Sequence, residues 1–318
     1  MTISLDEQNS LKQLNVAVLC GGPGPEREVS LASGDTVYSA LKQNGYRVVK
    51  VEVPQHGHEE TVENLDCQVA VMMLHGEFGE DGHAQSILEH KGIAYTGPDA
   101  KTCALAMDKD ATKRLLRSTG IPTADWAVIE SVTDIDKALG VSGITVPFVV
   151  KPNSKGSSVG ISIIRDASEI ASAVEKALAV DEKVLLETFV QGKELTLGWL
   201  DGRLLPIIEL APDGDFYDYN AKYISEKTLY ICPAELDGDT AGKINDIGKK
   251  VFEIMSVRDL SRVDILLGPV SPMVLELNTS PGFTSHSLVP LAARTAGMDM
   301  GQLCERLVAM AAKRCGLL

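Results

Sequence analysis

Short apolar strands alternating with helices over the N-terminal third predict an α/β domain built on a parallel sheet. Beyond it, apolar runs joined by tight turns predict α+β lobes with antiparallel pairing. Length gives the number of units: at 318 residues the chain exceeds what one hydrophobic core usually supports, so two or three domains are expected. We place them at 1–104, 105–190 and 191–318.

The first domain opens with the buried-type strand 15–20, which ends in Gly21-Gly22-Pro23-Gly24-Pro25. A helix over 28–43 follows, then strands over 46–53, 68–74 and 93–97, with a short helix over 84–90. In such a sheet, ligands bind at the carboxyl ends of the strands. Glu26, Ser30 and His75 all fall there. Glu26 is either a first-turn acid that favours the helix dipole or a ligand; His75 is either a hydrogen-bonded strand-end histidine or a functional one. The glycine loop does not match GxGxxG, so dinucleotide binding is disfavoured. The acids of 76–82 could bind a cation, but they read first as a solvated loop.

The second segment opens with a helix from 107 to about 119. Strands follow over 126–130 and 146–152. The Gly/Ser stretch 153–160 then leads into strand 161–164, helix 166–178 and strand 184–190. A hairpin tip of small residues exposes N–H groups and hydroxyls that can fold over phosphates. It is not a Walker loop. Lys151, ending an apolar strand, is an odd buried charge unless it meets an anion; otherwise it snorkels to water. Glu187 and Glu194 are either nucleotide contacts or solvated acids at a hinge.

In the third segment, strands over 195–200 and 204–210 flank the Asp201-Gly202 turn. The tyrosine-rich stretch 216–223 reads as a closing loop or an ordered surface loop. After helix 240–255 come two apolar runs, 263–267 and 274–278. Alternation puts Glu276 and Asn278 on one face, and hairpin pairing would bring Asp264 beside Glu276. Two carboxylates and an amide oxygen suit Mg²⁺ when phosphates complete the shell; the plain alternative is a wet hairpin face. Arg262 points the same way as Asp264, a cation placed for an anionic transition state or phosphate. Residues 284–287 open a helix with free N–H groups suited to a carboxylate.

Composition narrows the partners. Hydrophobic residues make up 44%, charged ones 23%, and the formal charge is −14. That balance argues against nucleic acid or an anionic membrane. The six cysteines show no framework spacing and read as reduced thiols of a cytosolic protein. No apolar stretch is long enough to span a bilayer, and residues 1–15 lack a signal-peptide core.

Taken together, EREVS at 26–30, LHGEFGEDG at 74–82, VKPNSKGSSVG at 150–160, FYDYNAKY at 216–223, RVD at 262–264 and ELNTSPGFTSHS at 276–287 resemble the D-alanine–D-alanine ligases of the ATP-grasp superfamily. The likeness runs in order over nearly the whole chain, and the combination is far more specific than any one motif. It implies a Rossmann-like substrate-binding domain followed by a two-lobed ATP-grasp fold, the C-terminal lobe carrying the metal site.

It further implies that ATP phosphorylates one D-alanine and that a second displaces phosphate, making D-alanyl-D-alanine for peptidoglycan precursors. By the same resemblance, Lys109, Lys151, Gly156, Ser158, Glu187, Glu194 and Lys222 hold the nucleotide. Asp264, Glu276 and Asn278 bind two Mg²⁺ (or Mn²⁺), while Arg262 and the Gly282 N–H stabilise an oxyanion. Glu26, steadied through Ser157 and Tyr223, holds the first ammonium. His75 lies near the first substrate, and Ser287 and Leu288 receive the second carboxylate. Tyr223, where phenylalanine goes with D-lactate, favours an amine acceptor. A homodimer is what the family suggests. Two departures stand outside the motifs: the prolines of the 21–25 loop, and the stretch 266–272, which reads as apolar and loop-like. Two further readings stay open: an ATP-grasp ligase with another acceptor, and a non-catalytic nucleotide-binding regulator.

Overall fold

A computed structural model describes residues 3–157, 159–211 and 228–318. The chain starts with helix α1 (Leu5–Leu11), closed by a reciprocal Ser4/Glu7 capping box. It continues through β1 (Asn15–Gly21), α2 (Arg27–Gln43), β2 (Arg47–Val53), α3 (His58–Glu63), β3 (Val69–Met72), α4 (His83–Lys91) and β4 (Ala94–Tyr95). The strands form a sheet in the order β2-β1-β3-β4, every pair parallel. A parallel sheet is covered on both faces, so its inner strands β1 and β3 are apolar along almost their whole length, whereas the edge strand β2 carries Arg47, Lys50 and Glu52. Along β1, Val16, Val18 and Cys20 pack into one core, and Ala17 and Leu19 into another with Leu88 of α4.

Two helices follow back to back, α5 (Ala100–Met107) and α6 (Lys109–Ser118); Asp108 ends the first and caps the second through the Ala111 N–H. The expected boundary at 104 falls inside α5. Next come β5 (Trp126–Ile129), α7 (Ile135–Ser142), β6 (Phe148–Pro152), β7 (Ser162–Ile164), α8 (Ile170–Leu178) and β8 (Val184–Thr188). Their sheet runs β5-β8-β6-β7, antiparallel throughout. Phe148 and Val150 face the core with Val174 and Ala177 of α8. Alternation therefore turns Lys151 to the opposite face.

The third sheet is built from β9 (Lys193–Leu200), β10 (Arg203–Leu204), β11 (Ile208–Ala211) and β12 (Leu229–Ile231), then, after helix α9 (Gly238–Ile254), β13 (Leu260–Leu267) and β14 (Pro272–Asn278). Its order is β12-β11-β9-β13-β14, with β10 on β9. Within the stretch 266–272, expected to be loop-like, residues 268–271 form the turn between β13 and β14, while Leu266 and Leu267 pair with Met273 and Pro272. Helices α10 (Leu288–Thr295) and α11 (Met300–Arg314) end the chain. Leu303, Leu307, Val308 and Ala311 of α11 share a core with Val16, Val18 and Val71 of the first sheet. The C-terminal helix thus closes the N-terminal layer. None of α1, α3, α5, α7 and α11 was anticipated from sequence. Among the described residues, no helix is long and apolar enough to cross a membrane, and all six cysteines are free thiols.

Candidate active site

The β13–β14 hairpin carries the densest cluster. Arg262 lies opposite Asn278, and Asp264 opposite Glu276. Between Asp264 and Ile265 the register shifts, so Leu275 is an extra residue on β14. That β-bulge has a consequence for side-chain direction. Val274 and Glu276 are two apart and would share a face in a regular strand. The bulge lets Val274 pack in the core while Glu276 joins Asp264 on the other side. The Asp264 carboxylate accepts from Arg262 Nε at 2.8 Å and Nη2 at 2.9 Å. It also accepts from Asn278 Nδ2 at 2.8 Å and Thr196 Oγ1 at 2.6 Å. The pairing expected for 263–267 and 274–278, and the shared direction of Arg262 and Asp264, are both present.

This hairpin faces the carboxyl ends of the first sheet across a cleft whose open space, solvent mouth included, is ≈ 650 Å³. Glu26, His75, Arg262, Asn278, Gly282, Ser287 and Leu288 all line it. Glu26 is 7% exposed and accepts a short hydrogen bond from Ser157 Oγ. Ser157 has φ 49°, left-handed backbone that is strained for a residue with a side chain. Gly76, at φ 60°, leaves room for Glu26, since a Cβ there would collide with Glu26 Oε2. Ser287 stands at the N-cap position of α10 without a side-chain bond to the helix; its Oγ instead accepts from the Thr284 N–H at 2.9 Å.

The 76–82 loop, expected to be solvated, instead turns Glu80 into the cleft. Glu80 joins two loops: Oε2 accepts from the Gly76 N–H at 2.7 Å and Oε1 from the Ser280 N–H at 3.1 Å. Burial, and next the Glu26 carboxylate, push its carboxyl up to about 8, against the pull of those N–H groups and Arg262. Burial and the charge on Arg262 push His75 down to about 4, so its imidazole is neutral near pH 7. Its Nε2 lies 3.4 Å from Ser33 Oγ.

Next to this cleft, the lysines cluster. Lys151 Nζ donates to Glu187 Oε1 at 2.8 Å, and Lys113 Nζ lies 2.6 Å from Oε2. The anion anticipated beside Lys151 is therefore supplied in part by Glu187, at 3% exposure. Burial raises the Glu187 carboxyl, but Lys151 and then Lys113 pull it below its ordinary value. Burial pushes Lys113 down to about 8 despite Glu187. Lys109 Nζ donates to the Lys155 carbonyl at 2.7 Å and lies 3.8 Å from Glu276 Oε2, connecting the glycine loop to the hairpin. Gly156 passes beside Glu26. Glu194 stands on β9 in register with Leu210 and Leu266 and does not line the cleft. Ser158, Lys222 and Tyr223, and with them the proposed closing loop, lie outside the described residues. Sequence reading missed Lys113, Thr196 and Glu80. The spacing of Lys113, one turn beyond Lys109 on a helix, was the one available signal.

A family model described as D-ala D-ala ligase C-terminus matches residues 115–309. A D-alanine–D-alanine ligase of Syntrophotalea carbinolica is 41% identical over 308 residues, covering 97% of this chain and 99% of its own. One from Mannheimia succiniciproducens is 38% identical over 305 residues, covering 95% and 99%. The crystal structure of the Bacillus anthracis ligase complexed with ATP superposes with a TM-score of 0.82 at 31% identity, covering 95% of this chain and 97% of that one.

Proposed function

The chain belongs to the D-alanine–D-alanine ligase family, and from that premise we propose how its residues carry out the ATP-dependent ligation of two D-alanines. The product is D-alanyl-D-alanine, for peptidoglycan precursors, with ADP and phosphate released. The observation that carries the reading is the meeting of two half-sites in one cleft. One is the hairpin face, which reaches the cleft through Arg262 and Asn278 with Asp264 and Glu276 paired beside them; the other is Glu26 and His75 at the ends of the first sheet.

The ammonium of the first D-alanine pairs with Glu26, whose carboxylate Ser157 orients. Its carboxylate then lies toward Arg262. Lys109 and Lys151 draw the triphosphate in from the other side, with Gly156 and Ser158 on the covering loop and Glu194 and Lys222 as further nucleotide contacts. Glu187 fixes the Lys151 ammonium and leaves the Lys113–Lys151 pair with an excess of positive charge. A carboxylate oxygen attacks the γ-phosphorus and ADP leaves, giving D-alanyl phosphate. The amine of the second D-alanine, its carboxylate received by Ser287 and Leu288 at the start of α10, attacks the acyl carbon. The tetrahedral oxyanion is held by Arg262 and the Gly282 N–H; it collapses with loss of phosphate. Neutral His75 beside the first substrate adds no competing charge. Tyr223 completes the Glu26–Ser157 link and favours an amine acceptor.

Asp264 on β13 and Glu276 and Asn278 on β14 present hard oxygens on one face of the hairpin, a donor set that fits Mg²⁺ or Mn²⁺. Two such ions would supply charge neutralisation between the triphosphate and the carboxylate. What the protein contributes is position: anions that repel one another are brought together in fixed orientation. Cytoplasmic location and a homodimer belong to the same proposal. Phosphate release from ATP tests it. Release that depends on D-alanine and fails with L-alanine is expected; equal release with both, or with neither, overturns it.

A further inference from the structure

We propose that one ordered water sits between Gln85 and Ser280, tying helix α4 to the loop that carries Gly282. Gln85 is 3% exposed. Its Nε2 donates to the Gly79 carbonyl at 2.6 Å, but its Oε1 has no hydrogen-bond partner among the described residues. The Oγ of Ser280 is in the same state. Buried polar atoms are rarely left so. The two residues line one small cavity, together with Thr96, Gly97 and Thr279, that leaves ≈ 10 Å³ for the centre of a water molecule. That is about the room one water needs.

The chemistry selects the occupant. The Gln85 oxygen only accepts, so its partner must donate; a hydroxyl both donates and accepts. Water satisfies both at once. A divalent cation would find two neutral side-chain oxygens where it wants six or more ligands with carboxylates among them. The water would hold Ser280 by its side chain where Glu80 already holds it by its backbone N–H, at 3.1 Å. Gly282 lies two residues on. With its loop anchored at both points, the Gly282 N–H stays aimed at the reacting carbonyl. This consequence for turnover rests on the role proposed above for Gly282; the water itself does not.

The test is a crystal structure of the full chain at a resolution that shows ordered solvent, beside steady-state kinetics of Ser280→Ala and Gln85→Met. In the wild type, a single solvent peak about 2.7–3.2 Å from both Gln85 Oε1 and Ser280 Oγ is expected. Both variants should lose the peak and lower kcat about threefold to tenfold, the worth of one hydrogen bond, with the KM for ATP unchanged. A dry cavity, or a Gln85 Oε1 bonded directly to a protein donor, overturns the water site. A peak present with kcat unchanged in both variants overturns its positioning role. Absence of D-alanine-dependent turnover in the wild type strikes the proposed function alone and leaves the crystallographic result standing.

Discussion

Glu187 sits between two lysines, whereas Glu80 sits beside another carboxylate. In the Lys113–Glu187–Lys151 group, each charge removed from water has gained an opposite one within 2.8 Å. Its carboxyl is pulled below the ordinary range by those lysines against the effect of burial. In the Glu26–His75–Glu80 group, the titratable partners are two acids and an imidazole. Burial and Glu26 raise Glu80, and burial lowers His75. In the first arrangement the carboxylate is paired before any ligand arrives, and the two lysines leave surplus positive charge for phosphates. The second holds surplus negative character, which a cationic ligand relieves. On the function proposed above, this contrast directs a polyanion to the lysines and an ammonium to Glu26.

Substitutions within each group test that contrast. Glu276 lies 3.8 Å from Lys109 Nζ and belongs to the face proposed above to bind metal. Glu276→Ala should lower phosphate release by about a thousandfold or more, the scale of losing electrostatic stabilisation in a closed site, with an unchanged melting curve. Retained turnover would remove Glu276 from the chemistry.

Glu187→Gln strands two buried lysines, and a loss of about 3 kcal/mol or more in unfolding free energy is expected, measured by denaturant titration. Lys113, already pushed down to about 8, would shed its proton more readily, so the loss should shrink at alkaline pH. A variant as stable as the wild type would show that the balance is not what holds this group together.

Glu26→Gln should instead leave stability nearly intact and raise the KM for D-alanine about tenfold to a hundredfold, as expected when one charge-assisted hydrogen bond is lost. The KM for ATP should stay constant. Equal changes in both would deny the sorting of charge.

The smallest effect concerns pH. The Glu80 carboxyl is raised from 4.5 to about 8, so its contribution to stability is whole below about pH 4.5 and is lost as pH climbs to about 8. Glu80→Gln lacks that loss. Its melting temperature should gain on the wild type between pH 5 and pH 8, then level off; parallel curves would contradict the raised value. His75, lowered from 6.5 to about 4, works in the opposite sense, its contribution being lost as pH falls through that window.

How legible was this in the sequence? The β13–β14 hairpin was, because Asp264 and Glu276 each interrupt an apolar run, and alternation fixes their face. The bulge at Leu275 was not. A single inserted residue changes which face follows it without altering composition, and only pairing with β13 reveals it. The parallel sheet of the first domain could be read from its strand–helix alternation. Its closure by α11 could not: an amphipathic helix announces an apolar face but not which distant layer it will cover. Lys113 looked like one more charge on a helix rich in Lys and Arg. Its burial depends on Glu187 arriving from β8, a contact that no local pattern encodes. Glu80 was misjudged for a related reason, since turn residues predict a wet loop unless another domain packs over them.

Isotope transfer addresses the central claim most directly. With D-alanine labelled by ¹⁸O in its carboxylate and ATP unlabelled, activation through D-alanyl phosphate moves one labelled oxygen into the released phosphate. We expect phosphate carrying a single ¹⁸O in step with dipeptide formation. Dipeptide formed together with unlabelled phosphate would contradict the account.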